Sequence, residues 1–234
     1  MMSMPEKPLK ILISMIVLIL LANCANAVVV VMPGERIQAA IDAAQSGETI
    51  EVSGGTYQES LVIDRSIILK GNGSGGDLPR VESENGPAIT IKANGVVVEG
   101  LWAKSASGWT EDAGILVLSN DNIIRNNMAS GSGNAGIFLL KCCNNTLFGN
   151  VVQGNGNEGL LLENSSRNLL ERNEISDNRY GCKLVSSPGN RILDNDFLKN
   201  RDDAINLQHS DANLIEGNSA AGSDSALSID GSRD

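Results

Sequence analysis

The sequence predicts an all-β chain wound as a parallel β-helix, a solenoid of 22–23-residue coils with a short N-terminal capping helix. Three observations lead there. Six segments repeat at a spacing of 22 or 23 residues and open at Gly114, Gly136, Gly159, Gly181, Ala204 and Ala226; fixed-period self-similarity marks a stacked solenoid. Each opens with a short apolar alternation, such as Ile115-Leu116-Val117 or Leu160-Leu161-Leu162, at the period of a strand and not of a helix. Each complete unit then carries two Asn five places apart: Asn122, Asn145, Asn168, Asn190 and Asn213 first, then Asn127, Asn150, Asn173, Asn195 and Asn218.

The elements follow in order. Residues 1–27 read as a signal peptide: Lys7 and Lys10, an apolar run over Ile11–Ala22, then Ala25-Asn26-Ala27. The apolar Val28–Val31 that follows leaves an uncleaved anchor as the alternative, and Cys24 faintly suggests a lipid anchor; membrane attachment is expected by these two routes only. Residues 28–47 are expected to form a strand and a helix, with Ile37, Ala40, Ile41 and Ala44 at helical spacing and Gly47 closing it. An open β-helix exposes its core in cross-section, so the helix is assigned as the N-terminal cap. The β-helix proper is assigned to 48–234, with regular coils from about residue 114. Strands are expected at Thr49–Val52, Leu61–Ile63 and Ile67–Lys70, with loops at Gly71–Pro79 and Ser105–Glu111.

Four inward columns can be assigned in the regular coils. Two lie on the first strand: Ile115, Ile137, Leu160, Cys182, Ile205, Leu227, and Val117, Leu139, Leu162, Leu184, Leu207, Ile229. The second strand supplies Ile124, Leu147, Leu170, Ile192 and Ile215; the third supplies Ala129, Val152, Ile175, Phe197 and Ala220. Coils about 4.8 Å apart make these one continuous core, which no single coil could bury. The Asn columns read as scaffold: amides at tight turns can bond the same residue one coil on and satisfy turn backbone. No cap is evident after Ile229, so a partner covers the last coil or the chain is a shortened relative of longer proteins.

The outward face of the first strand is unusual. It reads Leu116, Phe138, Leu161, then Lys183, Asn206, Ser228, with Leu118 and Leu140 in the next outward column. Leu116, Leu118, Phe138, Leu140 and Leu161 are therefore assigned as a contact surface, for another chain or for the Ser105–Glu111 loop folded over them. Self-association through this patch or through the last coil is an expectation.

Composition narrows the function. Asp and Glu outnumber Lys and Arg by 28 to 18, and the acidic charge is mixed through the turns, so nucleic acid is not expected as a partner. Aromatic residues make up 3% of the chain, few for a dedicated glycan reader; Trp102 and Trp109 are the exceptions near the first regular coil. With the leader removed, Cys142, Cys143 and Cys182 remain, an odd number that cannot all pair. The chain has one histidine, His209, and no His-rich or Met-rich copper cluster; no metal and no cofactor are expected. Asn72, Asn144 and Asn164 open glycosylation sequons at expected turns.

A resemblance rests on Ile37-Gln-Ala-Ala-Ile-Asp-Ala-Ala44, Gly47-Glu-Thr-Ile-Glu-Val52, Gly55-Thr-Tyr57 and Ile67-Ile-Leu-Lys-Gly71, together with the later Asn-x-x-x-x-Asn coils. The chain resembles right-handed parallel β-helix proteins, in particular the NosD-type branch of carbohydrate-binding and sugar-hydrolase β-helices. The resemblance implies the fold over roughly residues 33–230. It also implies a periplasmic or surface setting, and it includes a branch concerned with maturation of a copper enzyme. Asp202-Asp203, at the start of a strand, resembles the acid pair of polygalacturonases, but the Gly-His-Gly and Arg-x-Lys of those enzymes have no counterpart here. Glu111-Asp112 and Asn157-Glu158 hold the same place in other coils, which makes such acidic pairs read as solvated turns.

The expectation is a secreted, periplasmic or cell-surface module that binds glycan or a surface protein. The alternatives are a polysaccharide lyase, epimerase or hydrolase using Asp202 and Asp203, and a NosD-like accessory of copper-enzyme maturation.

Overall fold

The computed structural model describes residues 28–73, 77–107 and 112–233. The chain forms a parallel β-solenoid with three sheets of nine, eight and eight strands, each internal strand pairing with its counterpart one coil before and one coil after. The sheets succeed one another around each coil. A six-residue strand such as Ala135–Leu140 or Glu158–Glu163 lies in the first, and three-residue strands such as Thr146–Phe148 and Val151–Gln153 lie in the second and third.

The register follows the repeat. Ile115 pairs with Ile137, Ile137 with Leu160, Leu160 with Cys182 and Cys182 with Ile205. Ile124, Leu147, Leu170 and Ile192 stack in the second sheet, and Val152, Ile175 and Phe197 in the third. All of these side chains are buried in one core. The strands are parallel and face the core along one side only, so stacking converts one apolar stripe per strand into a continuous interior.

The turns between the second and third sheets are held by the Asn columns. The backbone N–H and the side-chain Nδ2 of Asn150 both donate to Oδ1 of Asn173, each at 2.9 Å, and Asn173 repeats the pattern toward Asn195. The Asn122 to Asn190 column does the same at the preceding turn. Sequence reading missed two further ladders. Asn155, Asn178 and Asn200 link at the third turn. Ser165, Ser187, Ser210 and Ser232 link by backbone N–H to hydroxyl bonds.

The helix spans Ile37–Ala43 and buries Ile37 and Ile41 in the core. Its first N–H groups, on Ile37 and Gln38, donate to the Glu59 carboxylate, which replaces a local capping side chain. The Gln38 amide both accepts from the Val62 N–H and donates to the Val62 carbonyl, which blunts the edge strand Leu61–Ile63. The strand Ile68–Asn72 runs two residues into the expected Gly71–Pro79 loop, because the pairing continues from Thr49–Ser53. The sequon residue Asn72 is therefore on a strand, not in a turn.

Candidate functional site

The outer face of the long-strand sheet concentrates the chemistry of the chain. Its strands break strict alternation. The glycine that opens the coils at Gly136, Gly159 and Gly181 points inward; a side chain on Gly159 would meet Ile175 Cγ2 at 2.5 Å and Asn178 Nδ2 at 2.7 Å. The apolar residue after it points inward too. Two consecutive inward positions turn the preceding residue outward. Ala113 and Ala135 therefore join Leu116, Phe138 and Leu161 in a small apolar cluster separate from the core, and Glu158, Tyr180 and Asp203 continue that outer column.

The apolar half of this face is packed. Leu116, Phe138 and Leu161 are 6%, 1% and 5% exposed, with Leu140 against them, while Leu118 is an exposed residue at the rim. Of the loop expected to fold over them, Ser105–Ser107 are described and the Ser107 hydroxyl donates to Asp112; residues 108–111, with Trp109 and Glu111, lie outside the described residues.

The polar half begins one coil later. Glu158 is not on a solvated turn: it is 3% exposed, because the strand start sets it against the sheet beside Lys183 and Tyr180, and Asp112 is likewise buried. The Lys183 ammonium stands 3.8 Å from the Glu158 carboxylate and 5.0 Å from the centre of the Tyr180 ring. Asn157 Nδ2 donates to Glu158. Burial pushes the Glu158 carboxyl above its ordinary range, and the Lys183 charge opposes that rise.

Asp202 and Asp203 do not form a carboxyl dyad. Asp202 is ion-paired to the Arg179 guanidinium at 2.8 Å, a bond that holds its carboxyl below the ordinary value. Asp203 lies on the outer face and accepts from Asn206 Nδ2 at 2.6 Å. Asn206 is 7% exposed, and its Oδ1 is cut off from solvent with no hydrogen-bond donor. Tyr180 has its ring beside both Arg179 and Lys183, and burial raises its hydroxyl pKa. Sequence reasoning reached Asp202 and Asp203 but missed Glu158, Tyr180, Lys183 and Asn206 as a group. Their signal was the appearance of Tyr180, Lys183 and Asn206 in columns that are apolar in the coils before.

Elsewhere, a groove of about 370 Å³ is lined by Gln58, Glu59, Glu82 and Glu84. Glu59 caps the helix and Glu82 binds Gln58 and Arg80, so those carboxylates serve the scaffold. Trp102 lies on a strand with the Arg80 guanidinium 3.5 Å over its ring.

The sequence matches the family described as periplasmic copper-binding protein (NosD) over residues 92–234. The chain belongs to this family. The NosD chain also shares its fold with solved structures of low identity. Among them are ORF18 of Geobacillus virus E2, with a TM-score of 0.62 and 16% identity over 92% of this chain and 52% of that one, and the catalytic domain of a GH87 alpha-1,3-glucanase in complex with nigerose, with 0.63 and 14% over 88% and 45%. A periplasmic alginate epimerase matches with 0.57 and 14% over 87% and 54%. The chain spans about half the length of these structures. No curated protein sequence matches it. Among the described residues, no helix is long and apolar enough to cross a membrane.

The copper in the family's description can be tested against the donors present. Among the described residues, no three His, Cys, Asp or Glu side chains stand together as a metal site. Cys182 is fully buried, and burial drives its thiol far above the ordinary range; Cys142 is pushed up to about 11 and sits against Val117 and Ser165. Copper sites in proteins are built chiefly from thiolates, thioethers and accessible imidazoles. His209 is exposed and stands alone as an imidazole in this chain. Cys142, Cys182 and His209 thus do not make up a copper centre.

Proposed function

We propose that this NosD-family protein is a glycan-binding module of the periplasm or cell surface, with the outer face around Tyr180, Lys183, Asp203 and Asn206 as its ligand surface. The observation that carries the reading is the change of that face from packed Leu116, Phe138 and Leu161 to a polar array around an aromatic ring. A sugar presents an apolar ring face and a rim of hydroxyls, and the array sets an aromatic ring beside hydrogen-bond acceptors. Two fold neighbours, an alginate epimerase and an alpha-1,3-glucanase, are proteins that act on polysaccharides, and this favours a glycan over a protein ligand. A glycan array followed by calorimetry tests the reading. Tyr180→Ala should weaken binding of the selected glycan about tenfold; a protein that retains no glycan on the array sinks it.

A second reading is favoured by Glu158, a buried carboxyl with a raised pKa beside Lys183. In it the face is a polysaccharide-active site, with Glu158 supplying a proton and Asp203 accepting one. Screening polysaccharides for new reducing or unsaturated ends separates the two. Turnover lost in Glu158→Gln and Asp203→Asn supports the enzyme, and turnover that survives both removes this site from it.

A further inference from the structure

The binding face has its charges already assigned, and what remains unassigned is acceptor capacity. Lys183 faces Glu158 at 3.8 Å, and Arg179 is bound to Asp202 at 2.8 Å. Neither cation is left to recognise an acidic ligand. The other charged side chains at outward positions of these strands are negative and partly or fully exposed: Asp203 opposite Ser225, Glu163 at the rim, and Asp230 two coils beyond Val185 in the same rim column.

Asn206 supplies the independent observation. Its Nδ2 donates to Asp203, which fixes the amide orientation, because a flipped amide would set oxygen against carboxylate. Oδ1 is thereby left as a buried acceptor without a donor. Buried acceptors are rarely left unpaired, and those that are need an explanation. Asn206 stands between Lys183 and Ser228 on the outer face, with the Tyr180 and Asp203 column beside it.

From this we infer that the ligand is a neutral, hydroxyl-rich glycan and not a polyuronate. The inference rests on the glycan-binding reading above and names its substrate class. A sugar hydroxyl donates to Asn206 Oδ1 and to the free lone pairs of Asp203, and the Tyr180 ring lies beside them for an apolar sugar face. A uronate would bring a carboxylate against Asp203 and Glu163, on a chain of net charge −10, while Lys183 and Arg179 beside that column are already paired. Like-charge contact of this kind suppresses binding of the wrong ligand.

Calorimetry of the full chain against two matched sets tests this: neutral hexasaccharides of glucose, mannose or N-acetylglucosamine, and hexauronates, both at low salt. The expected result is binding confined to the neutral set, with Asn206→Ala at least tenfold weaker. Because Asn206 is covered, Asp203→Asn and Glu163→Gln provide a second probe at partly exposed positions. The pair should raise hexauronate binding relative to the neutral set. Hexauronate binding tighter than neutral binding in the unmodified protein overturns the inference and leaves glycan binding standing. Binding of neither set overturns the glycan reading itself.

Discussion

Asn173 uses every polar atom of its side chain. Oδ1 accepts from the backbone and side chain of Asn150, and Nδ2 donates to the Leu147 carbonyl at 3.0 Å and to Asn195 Oδ1 at 2.9 Å. Truncation leaves buried groups unpaired on both neighbouring coils, at roughly 1–3 kcal/mol for each. Asn173→Ala should therefore lower the urea midpoint sharply without changing the slope, which equilibrium unfolding by circular dichroism checks. Glu158 gives a pH dependence. Its folded pKa lies above the ordinary 4.5, so between that value and the folded pKa the native state holds more protons than the unfolded chain. Stability attributable to this residue is then present at acid pH and falls as pH rises through that window. Glu158→Gln should remove that part of the fall, so that mutant and native unfolding curves diverge with increasing pH; parallel curves would show that Glu158 titrates normally. The thiols offer a third test at this scale. Cys182 and Cys142 are buried with raised thiol pKa values, whereas Cys143 is partly exposed. Of these three, a maleimide should label Cys143 alone in the native protein and all of them in urea.

Strand and turn explain what the sequence revealed and what it hid. The inward columns and the Asn turns were legible because a repeated residue type at a fixed offset marks the same environment in every coil. Glu158 and Tyr180 were not, because strict alternation would assign their position to the inner face. The strand start carries two successive inward residues, and only the glycine there hints at it. That glycine also matches its coil. Gly136 faces Val152, Gly159 faces Ile175 and Gly181 faces Phe197, each too close for a Cβ. The coil that opens with Ala204 has Ala220 in place of the large side chain and Ser223 in place of Asn178 or Asn200. In these four coils the volume of the opening residue and that of the residue sixteen places on are thus complementary. Gly159→Ala should cost about 1–3 kcal/mol as overpacking. In an Ile175→Ala background the same change should cost at least about 1 kcal/mol less, a coupling that a double-mutant cycle measures directly. Additive effects would mean that the glycine answers to Asn178 and the Gly181 backbone and not to Ile175.

At the scale of the whole molecule, stacking makes the stability of each coil depend on its neighbours. A middle coil contributes Leu160, Leu162 and Leu170 to the core with no exposure, and its three sheets pair on both sides. The last described coil pairs on one side. Leu214, Leu227 and Ile229 are 45%, 44% and 58% exposed, although Leu227 and Ile229 continue columns that are fully inward five coils earlier. The sequence assigned both columns correctly; exposure here reflects position in the stack and not the residue. In a quasi-one-dimensional array, an end coil loses one interface term and opens first. Hydrogen exchange should accordingly grade along the chain. Amides of Ile137–Leu139 and Leu160–Leu162 should exchange slowest, and those of Ser225–Asp230 many times faster, by subglobal opening that leaves the middle coils closed. The gradient should hold at low protein concentration. If protection of Ser225–Asp230 instead rises with concentration while the middle coils are unchanged, a second copy is covering the open coil, and sedimentation of the same samples should then show a heavier species.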